Sequence, residues 1–225
     1  MTKSAKTSPK TASRTSKPAG KPVRTPVHKR QPGEIRLIGG HWKRIKLKVA
    51  DKPGLRPTPD RVRETLFNWL GQDLFGKRCV DAFAGTGALG FEAASRGARE
   101  VLLVEQESAL VAQLQKVQAQ LQALVLPEPV QQTLMVQRGE GVAALRQLMP
   151  ASQDVIFLDP PFDSNLYEAA LAAAARALAM GGQVYLEASK AWSDADLASM
   201  GLAVHRHLKA GAVHAHVLRA VSAAA

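Results

Sequence analysis

The chain has 225 residues, 46% of them apolar, and a formal net charge of +11. That length fills one core with a small appendage, and the absence of a long apolar run or an apolar N-terminal stretch leads us to expect a cytoplasmic protein without a membrane span. A single cysteine, Cys79, excludes an intrachain disulfide and a cysteine-only metal cluster.

The charge is polarised along the chain. Residues 1–33 hold nine Lys or Arg and no acid, 34–80 hold eleven against five acids, and 81–225 hold ten against fourteen. Such a distribution suits a polyanionic partner, most simply nucleic acid. Residues 1–33 carry almost no large apolar side chains and predict a disordered basic tail. Pro9, Pro18, Pro22 and Pro26 argue against the amphipathic helix of a transit peptide.

An N-terminal extension follows over 34–76. Residues 35–38 and 41–49 read as two strands about the Gly39-Gly40 turn, and 53–57 as a loop. Thr58 can cap a helix that starts at Pro59 and ends near residue 70, with Val62, Leu66, Phe67 and Leu70 on its apolar face. Over 77–225 strands and helices alternate. Strands are expected at 78–83, 100–105, 131–137, 154–159 and 183–187, and helices at 88–96, 108–124, 140–148 and 165–180. Short apolar strands between amphipathic helices predict a mostly parallel α/β sheet covered on both faces. Residues 202–209 and 212–219 read as an antiparallel hairpin at its edge.

Two motifs carry chemistry. The first is the loop 81–90, which follows a strand and opens a helix. Gly85, Gly87 and Gly90 match G-x-G-x-x-G, and Glu105, 20 residues after Gly85, ends the next strand where a ribose-binding acid belongs. Those features alone fit a nicotinamide cofactor. Asp81 tilts the choice, because a carboxylate beside the loop repels a pyrophosphate and attracts a cation such as the ammonium of S-adenosylmethionine.

The second motif is Asp159-Pro160-Pro161-Phe162, at the end of the apolar strand Val155-Ile156-Phe157-Leu158. In an open parallel sheet it faces the same crevice as the glycine loop. Two prolines remove two N–H donors, leaving the Asp159 carboxylate and the Pro160 carbonyl as acceptors for the two hydrogens of an amino group. Phe162 can stack on a flat base. The pair of motifs points to methyl transfer onto an exocyclic base nitrogen, driven by orientation and electrostatics without a metal or a strong base.

Four stretches resemble the bacterial 16S rRNA (guanine(966)-N(2))-methyltransferase family: Ile35-Arg36-Leu37-Ile38-Gly39-Gly40-His41-Trp42, the run from Gly54 to Leu70 that includes Arg56-Pro57-Thr58-Pro59-Asp60-Arg61-Val62-Arg63-Glu64, the loop beginning at Asp81, and Asp159-Pro160-Pro161-Phe162. The resemblance covers about residues 34–219. It implies a class I, Rossmann-like fold with a seven-stranded, mostly parallel sheet, S-adenosylmethionine as donor, and a guanine N2 amino group of 16S rRNA as acceptor, in the 30S subunit. By the same resemblance Asp81, Phe83, Ala84, Gly85 and Gly87 would line the cofactor site and Glu105 would hold the ribose. Glu140 would stand in the position of an acid or amide after the third strand. Asp159, Pro160, Pro161 and Phe162 would hold the guanine. Arg36, Trp42, Arg56, Arg61 and Arg63 match the family's basic block and are expected near RNA, which agrees with their chemistry as cations around an aromatic. Lys43-Arg44-Ile45-Lys46 departs from the family's basic-Gly-Arg-Lys run, and Gln115 to Gln118 occupy the place of its helix asparagine.

Three other readings remain at this point. One is amino methylation of a different base in RNA or DNA. Another is a nicotinamide dehydrogenase, which leaves Asp159 to Phe162 unexplained. The last is a non-catalytic ribosome assembly factor, which has no need of Asp159. His205, His207, His214 and His216 alternate on the final hairpin, but without an acid or cysteine beside them they read as a half-exposed face rather than a metal site. The protein is expected to act as a monomer, without metal or membrane.

Overall fold

The computed structural model describes residues 34–48, 58, 60–125, 131–162 and 164–221. The chain divides into two units, Met1–Arg30 and Gln31–Ala225, and every described residue belongs to the second. The expected tail, the loop at 53–57 with Arg56, and Pro59 lie outside the described residues.

The described chain opens with two short antiparallel strands, β1 (Glu34–Arg36) and β2 (Lys46–Lys48), in register Ile35 to Leu47. They are shorter than the strands expected from the sequence. Residues 37–45 instead wrap onto a neighbouring helix, α2 (Ala88–Ser95). The His41 N–H donates to the Ser95 carbonyl at 2.7 Å, the Trp42 N–H to Ser95 Oγ at 3.0 Å, and Ser95 Oγ donates to the Gly39 carbonyl. Gly40 permits this approach. Its φ is +71°, and a Cβ there would stand 1.6 Å from the Ser95 carbonyl oxygen.

Helix α1 (Asp60–Leu70) buries Val62, Leu66 and Phe67, as its apolar spacing predicts. Strand and helix then alternate: β3 (Arg78–Asp81), α2, β4 (Glu100–Glu105), α3 (Ser108–Gln122), β5 (Thr133–Arg138), α4 (Gly141–Gln147), β6 (Gln153–Leu158), α5 (Tyr167–Ala177) and β7 (Leu178–Ala188). A short helix α6 (Asp194–Leu197) and a 3-10 turn precede β8 (Leu202–Ala210) and β9 (Val213–Ala220). The sequence did not signal α6, whose four residues are too few for a period. It also assigned 178–180 to a helix, whereas Leu178 pairs with Gln153 and begins β7.

The seven strands run β5-β4-β3-β6-β7-β9-β8, parallel from β5 to β7, with β9 antiparallel to both neighbours. Near-continuous apolar strands follow from burial on both faces. One face carries Cys79, Leu103, Phe157 and Tyr185, packed with α1, α2 and the N-terminal segment. The other carries Val80, Val104, Ile156 and Leu186, packed with α4 and α5. Ile35, Leu37, Trp42 and Leu47 belong to the first cluster, so the extension at 34–76 shares a core with the sheet. Cys79 lies inside this cluster, and burial pushes its thiol pKa up, which leaves it inert at neutral pH. Among the described residues no helix is long and apolar enough to cross a membrane.

Candidate active site

Chain direction reverses its spatial progress at β3, with β4 on one side and β6 on the other. Ligands gather at the carboxyl ends of strands around such a switch point. Four adjacent strands deliver a carboxylate there: Glu105 ends β4, Asp81 ends β3, Asp159 follows β6, and Glu187 lies one residue from the end of β7. All four have the same parity. The residues two positions earlier, Leu103, Cys79, Phe157 and Tyr185, share one apolar cluster, and strand side chains alternate faces. The acids therefore rise from one face of the sheet into one crevice.

The glycine loop is anchored by two of them. The Gly85 N–H donates to Glu105 Oε2 at 2.9 Å, and the Gly90 N–H, in the first turn of α2, donates to Asp81 Oδ2 at 2.9 Å. Glu105 Oε1 accepts from the Glu107 N–H at 2.8 Å. Gly85 and Gly87 have φ of +50° and +77°. A Cβ on Gly87 would meet the Phe91 ring at 2.4 Å. The loop thus approaches its neighbours as a phosphate-binding turn does, but the N–H groups at Gly85 and Gly90 are already spent on carboxylates. A pyrophosphate would lose those donors and face two anions.

The crevice crowds acids whose charged forms burial disfavours. Burial lifts the Asp81 pKa to about 7, against its hydrogen bond from Gly90 and with added repulsion from Glu105 and Glu187. Burial, then Glu187, then Asp81 hold Asp159 well above the ordinary carboxylate range. Burial raises Glu187 too, opposed by hydrogen bonds from Thr58 and Tyr185. Such a cluster fits a cationic ligand, which would relieve the repulsion among Asp81, Asp159 and Glu187. An ammonium and a sulfonium match it; a dinucleotide does not.

Beside the acids, Asp159 is half-buried and makes no hydrogen bond to a described residue, while Pro160 is buried. Phe162 is 38% exposed. It lines a cavity of about 410 Å³ with Tyr167, Lys190 and Trp192. Phe83 is half-buried, and a Cβ on Gly141 would press within 2.9 Å of its ring, so the start of α4 closes on the loop. Glu140 precedes α4 and is exposed.

Residues 35–219 match the family described as conserved hypothetical protein 95. Ribosomal RNA small subunit methyltransferase D of Escherichia coli is 45% identical over 136 residues, 60% of this chain and 64% of that protein. The enzyme of the same name from Haemophilus influenzae is 44% identical over 62% of this chain and 69% of its own length. The chain belongs to this family. It spans slightly under two thirds of the E. coli relative's length in that match. A solved E. coli structure described as a candidate methyltransferase superposes with a TM-score of 0.68 at 35% identity, covering 84% of this chain and 98% of that one. The fold is the class I methyltransferase fold, with its C-terminal antiparallel hairpin in place.

The family's N-terminal block is divided by the structure into surface and interior. Arg61 is exposed, and so is Arg36, which pairs with Asp60 at 3.4 Å. Lys43, Arg44 and Lys46 are exposed nearby in sequence. Two of the residues expected near RNA are corrected. Trp42 is buried in the core beneath the N-terminal turn. Arg63 is 1% exposed. Its guanidinium donates to the Thr58 carbonyl at 3.3 Å, the Arg36 carbonyl at 2.9 Å and Asp60 at 2.8 Å, and it stands 3.5 Å from the buried Glu92. Both side chains hold the extension on α2 and present no surface to a phosphate.

Glu187 and Thr58 went unnoticed in the sequence as site residues. The sequence presents Thr58 as a helix cap; in the structure its hydroxyl donates to Glu187 Oε1 at 2.8 Å, and the Tyr185 hydroxyl donates to the same oxygen at 2.8 Å. A signal existed for Glu187. The predicted strand at 183–187 ends in an acid, as do those at 100–105 and 154–159.

Proposed function

We propose that this chain transfers the methyl group of S-adenosylmethionine to the exocyclic N2 amino group of a guanine in 16S ribosomal RNA, with the 30S subunit as substrate. The observation that carries the reading is the row of four strand-end carboxylates. It sets Asp159-Pro160-Pro161-Phe162 beside a glycine loop whose donors are already engaged by acids. The names of the relatives support small-subunit ribosomal RNA as the substrate class. The guanine N2 atom and the assembled particle are inferred from the motif and from the family resemblance.

S-adenosylmethionine, when bound, supplies a methyl group already activated on a sulfonium. Asp81 and Glu105 hold it. Asp81 faces the cationic methionine end, and the lone pairs left on Glu105 accept from the ribose hydroxyls. Phe83, Ala84, Gly85 and Gly87 form the wall of that site, and Glu140 stands at its outer rim. Asp159 and the Pro160 carbonyl accept the two hydrogens of the guanine amine, which aims the nitrogen lone pair away from the ring plane. Pro161 keeps the turn rigid and free of competing donors. Phe162 covers the base by stacking. Exposed Arg36 and Arg61 engage phosphates, as does Arg56 by its chemistry.

Labelled S-adenosylmethionine, unmethylated 30S particles and naked 16S RNA decide the matter, with the labelled nucleotide mapped afterwards. We expect label on one guanine N2, in particles more than in naked RNA. No transfer to either substrate, together with tight NADH binding, would overturn the reading.

A further inference from the structure

We propose that Glu187 is a positioning residue for methyl transfer: a carboxylate pinned by Thr58 and Tyr185 beside Asp159, whose fixed negative charge makes Asp159 the acceptor of the proton that the methylated amine must release. The inference rests on the functional reading above and concerns its last step.

The geometry is set by register. Leu158 of β6 pairs with Leu186 of β7, so Asp159 and Glu187 follow side by side, one residue beyond the last paired positions. Asp81 completes the group from β3, where it pairs with Phe157. The two carboxylates differ in what they touch. Glu187 Oε1 accepts two hydrogen bonds, from Thr58 and from Tyr185, both at 2.8 Å. Asp159 accepts none from the described residues, and only burial and neighbouring charge act on it. Donors stabilise the anion, so Glu187 keeps its charge more readily than its burial alone would allow, and Asp159 feels that charge without a donor of its own.

Methyl transfer makes a proton that needs a destination. The nitrogen lone pair forms the N–C bond while the S–C bond breaks, its electron pair passing to sulfur as the thioether. The nitrogen is left cationic. One N–H bond then breaks, its electron pair returning to nitrogen and its proton going to an Asp159 oxygen. The products are the neutral methylamino base, the thioether and a protonated Asp159. A carboxylate of ordinary acidity would hold that proton poorly. A neighbouring fixed anion makes it hold better.

The other groups facing Glu187 do not take over this role. From β3 comes Asp81, from β4 the more distant Glu105, and from β7 itself the Tyr185 hydroxyl. β9 places Ala215 opposite. From the N-terminal segment come Thr58 and, behind it, Arg63, whose Nε donates to the Thr58 carbonyl and whose charge is shared with Asp60 and Glu92. Thr58 belongs to the family's N-terminal block, so the segment that leads to the RNA-facing surface also fixes the carboxylate behind the catalytic one.

The experiment measures single-turnover methyl transfer to 30S particles at saturating cofactor across pH, with S-adenosylhomocysteine affinity measured on each variant. Glu187→Gln keeps shape and removes charge. We expect homocysteine-adduct affinity within twofold of the unaltered protein, a single-turnover rate lower by on the order of tenfold, and an acid limb moved to lower pH, because Asp159 loses the anion that raises it. Thr58→Val removes one donor and moves the limb the same way by less. Glu187→Asp, which retains the charge, returns the limb toward its original position. An unmoved acid limb with an undiminished rate in Glu187→Gln overturns the proposal, as does a Glu187→Asp profile displaced as far as that of Glu187→Gln. If the unaltered protein transfers no methyl group, it is the functional reading that fails, in an arm that involves no variant.

Discussion

Asp159 brings two acceptor oxygens to the crevice with no described donor bound to either. Its removal should therefore cost chemistry and spare cofactor binding. Asp159→Ala is expected to reduce transfer by at least a hundredfold while leaving S-adenosylmethionine affinity, measured by calorimetry, nearly unchanged. Loss of both would show that Asp159 holds cofactor rather than base. Asp81 behaves in the opposite way. Folding raises its pKa from 3.8 to about 7, so the folded protein binds more protons than the unfolded chain between those values. Ligand-free stability should fall as pH rises through that window and level off above it. Affinity for the cationic cofactor should rise over the upper part of the same range, as Asp81 ionises. Thermal melts at pH 5, 6, 7 and 8 with and without S-adenosylmethionine check both slopes, and Asp81→Asn should flatten them.

At the scale of elements, the N-terminal block works as a brace. β1, the turn at 37–45 and α1 are tied to α2 by Arg63, Glu92 and Ser95 rather than by an extended sheet. Glu92 is fully buried and accepts from the Ile38 N–H at 2.8 Å and from Arg96 at 2.8 Å. Arg63→Ala leaves this carboxylate short of a partner and strips the Thr58 and Arg36 carbonyls of their donor. Breaking a buried charge pair from one side costs about 3–5 kcal/mol, and we expect that loss in urea unfolding. Activity at low temperature should fall as well, because Thr58 no longer stands fixed over Glu187. A surface cation of the same helix, Arg61, should give the reverse pattern: Arg61→Ala leaves stability within about 0.5 kcal/mol and weakens particle binding.

For the whole molecule, charge and catalysis are separated along the chain. The basic excess precedes residue 81, and the acids of the crevice follow it. On the proposed reading, a substrate that is a large polyanion would meet cations at the outer block, and the acidic crevice would be left to the cofactor. Binding to 30S particles should weaken steeply with salt. Deleting residues 1–33 removes nine cations and should make that salt dependence shallower, while the single-turnover rate on bound particles stays the same. A filter-binding series over salt concentration tests this, and an unchanged slope would exclude the tail from RNA contact.

Much of this was legible in the sequence, for identifiable reasons. Short apolar runs bounded by charged residues, four residues long in β4 and β6, mark these strands because a strand buried on both faces needs no alternation. The glycine loop and Asp159-Pro160-Pro161-Phe162 are local chemistry, each readable within ten residues. The carboxyl-end rule then places them in one crevice. What the sequence by itself could not decide is which side chains of a charged segment face inward. Arg63 and Arg61 are two residues apart on one helix, both basic, both plausible on RNA. Only the packing of α1 against α2 turns one to Glu92 and the other to solvent. The same holds for Glu187. Its place at a strand end was visible, but its meaning depends on three strands distant in sequence aligning their last residues, and on Thr58, 129 positions away, arriving over it. Local propensity and motif chemistry are properties of neighbours in sequence. A shared charge among Asp81, Asp159 and Glu187 is a property of register, and register exists only once the sheet has formed.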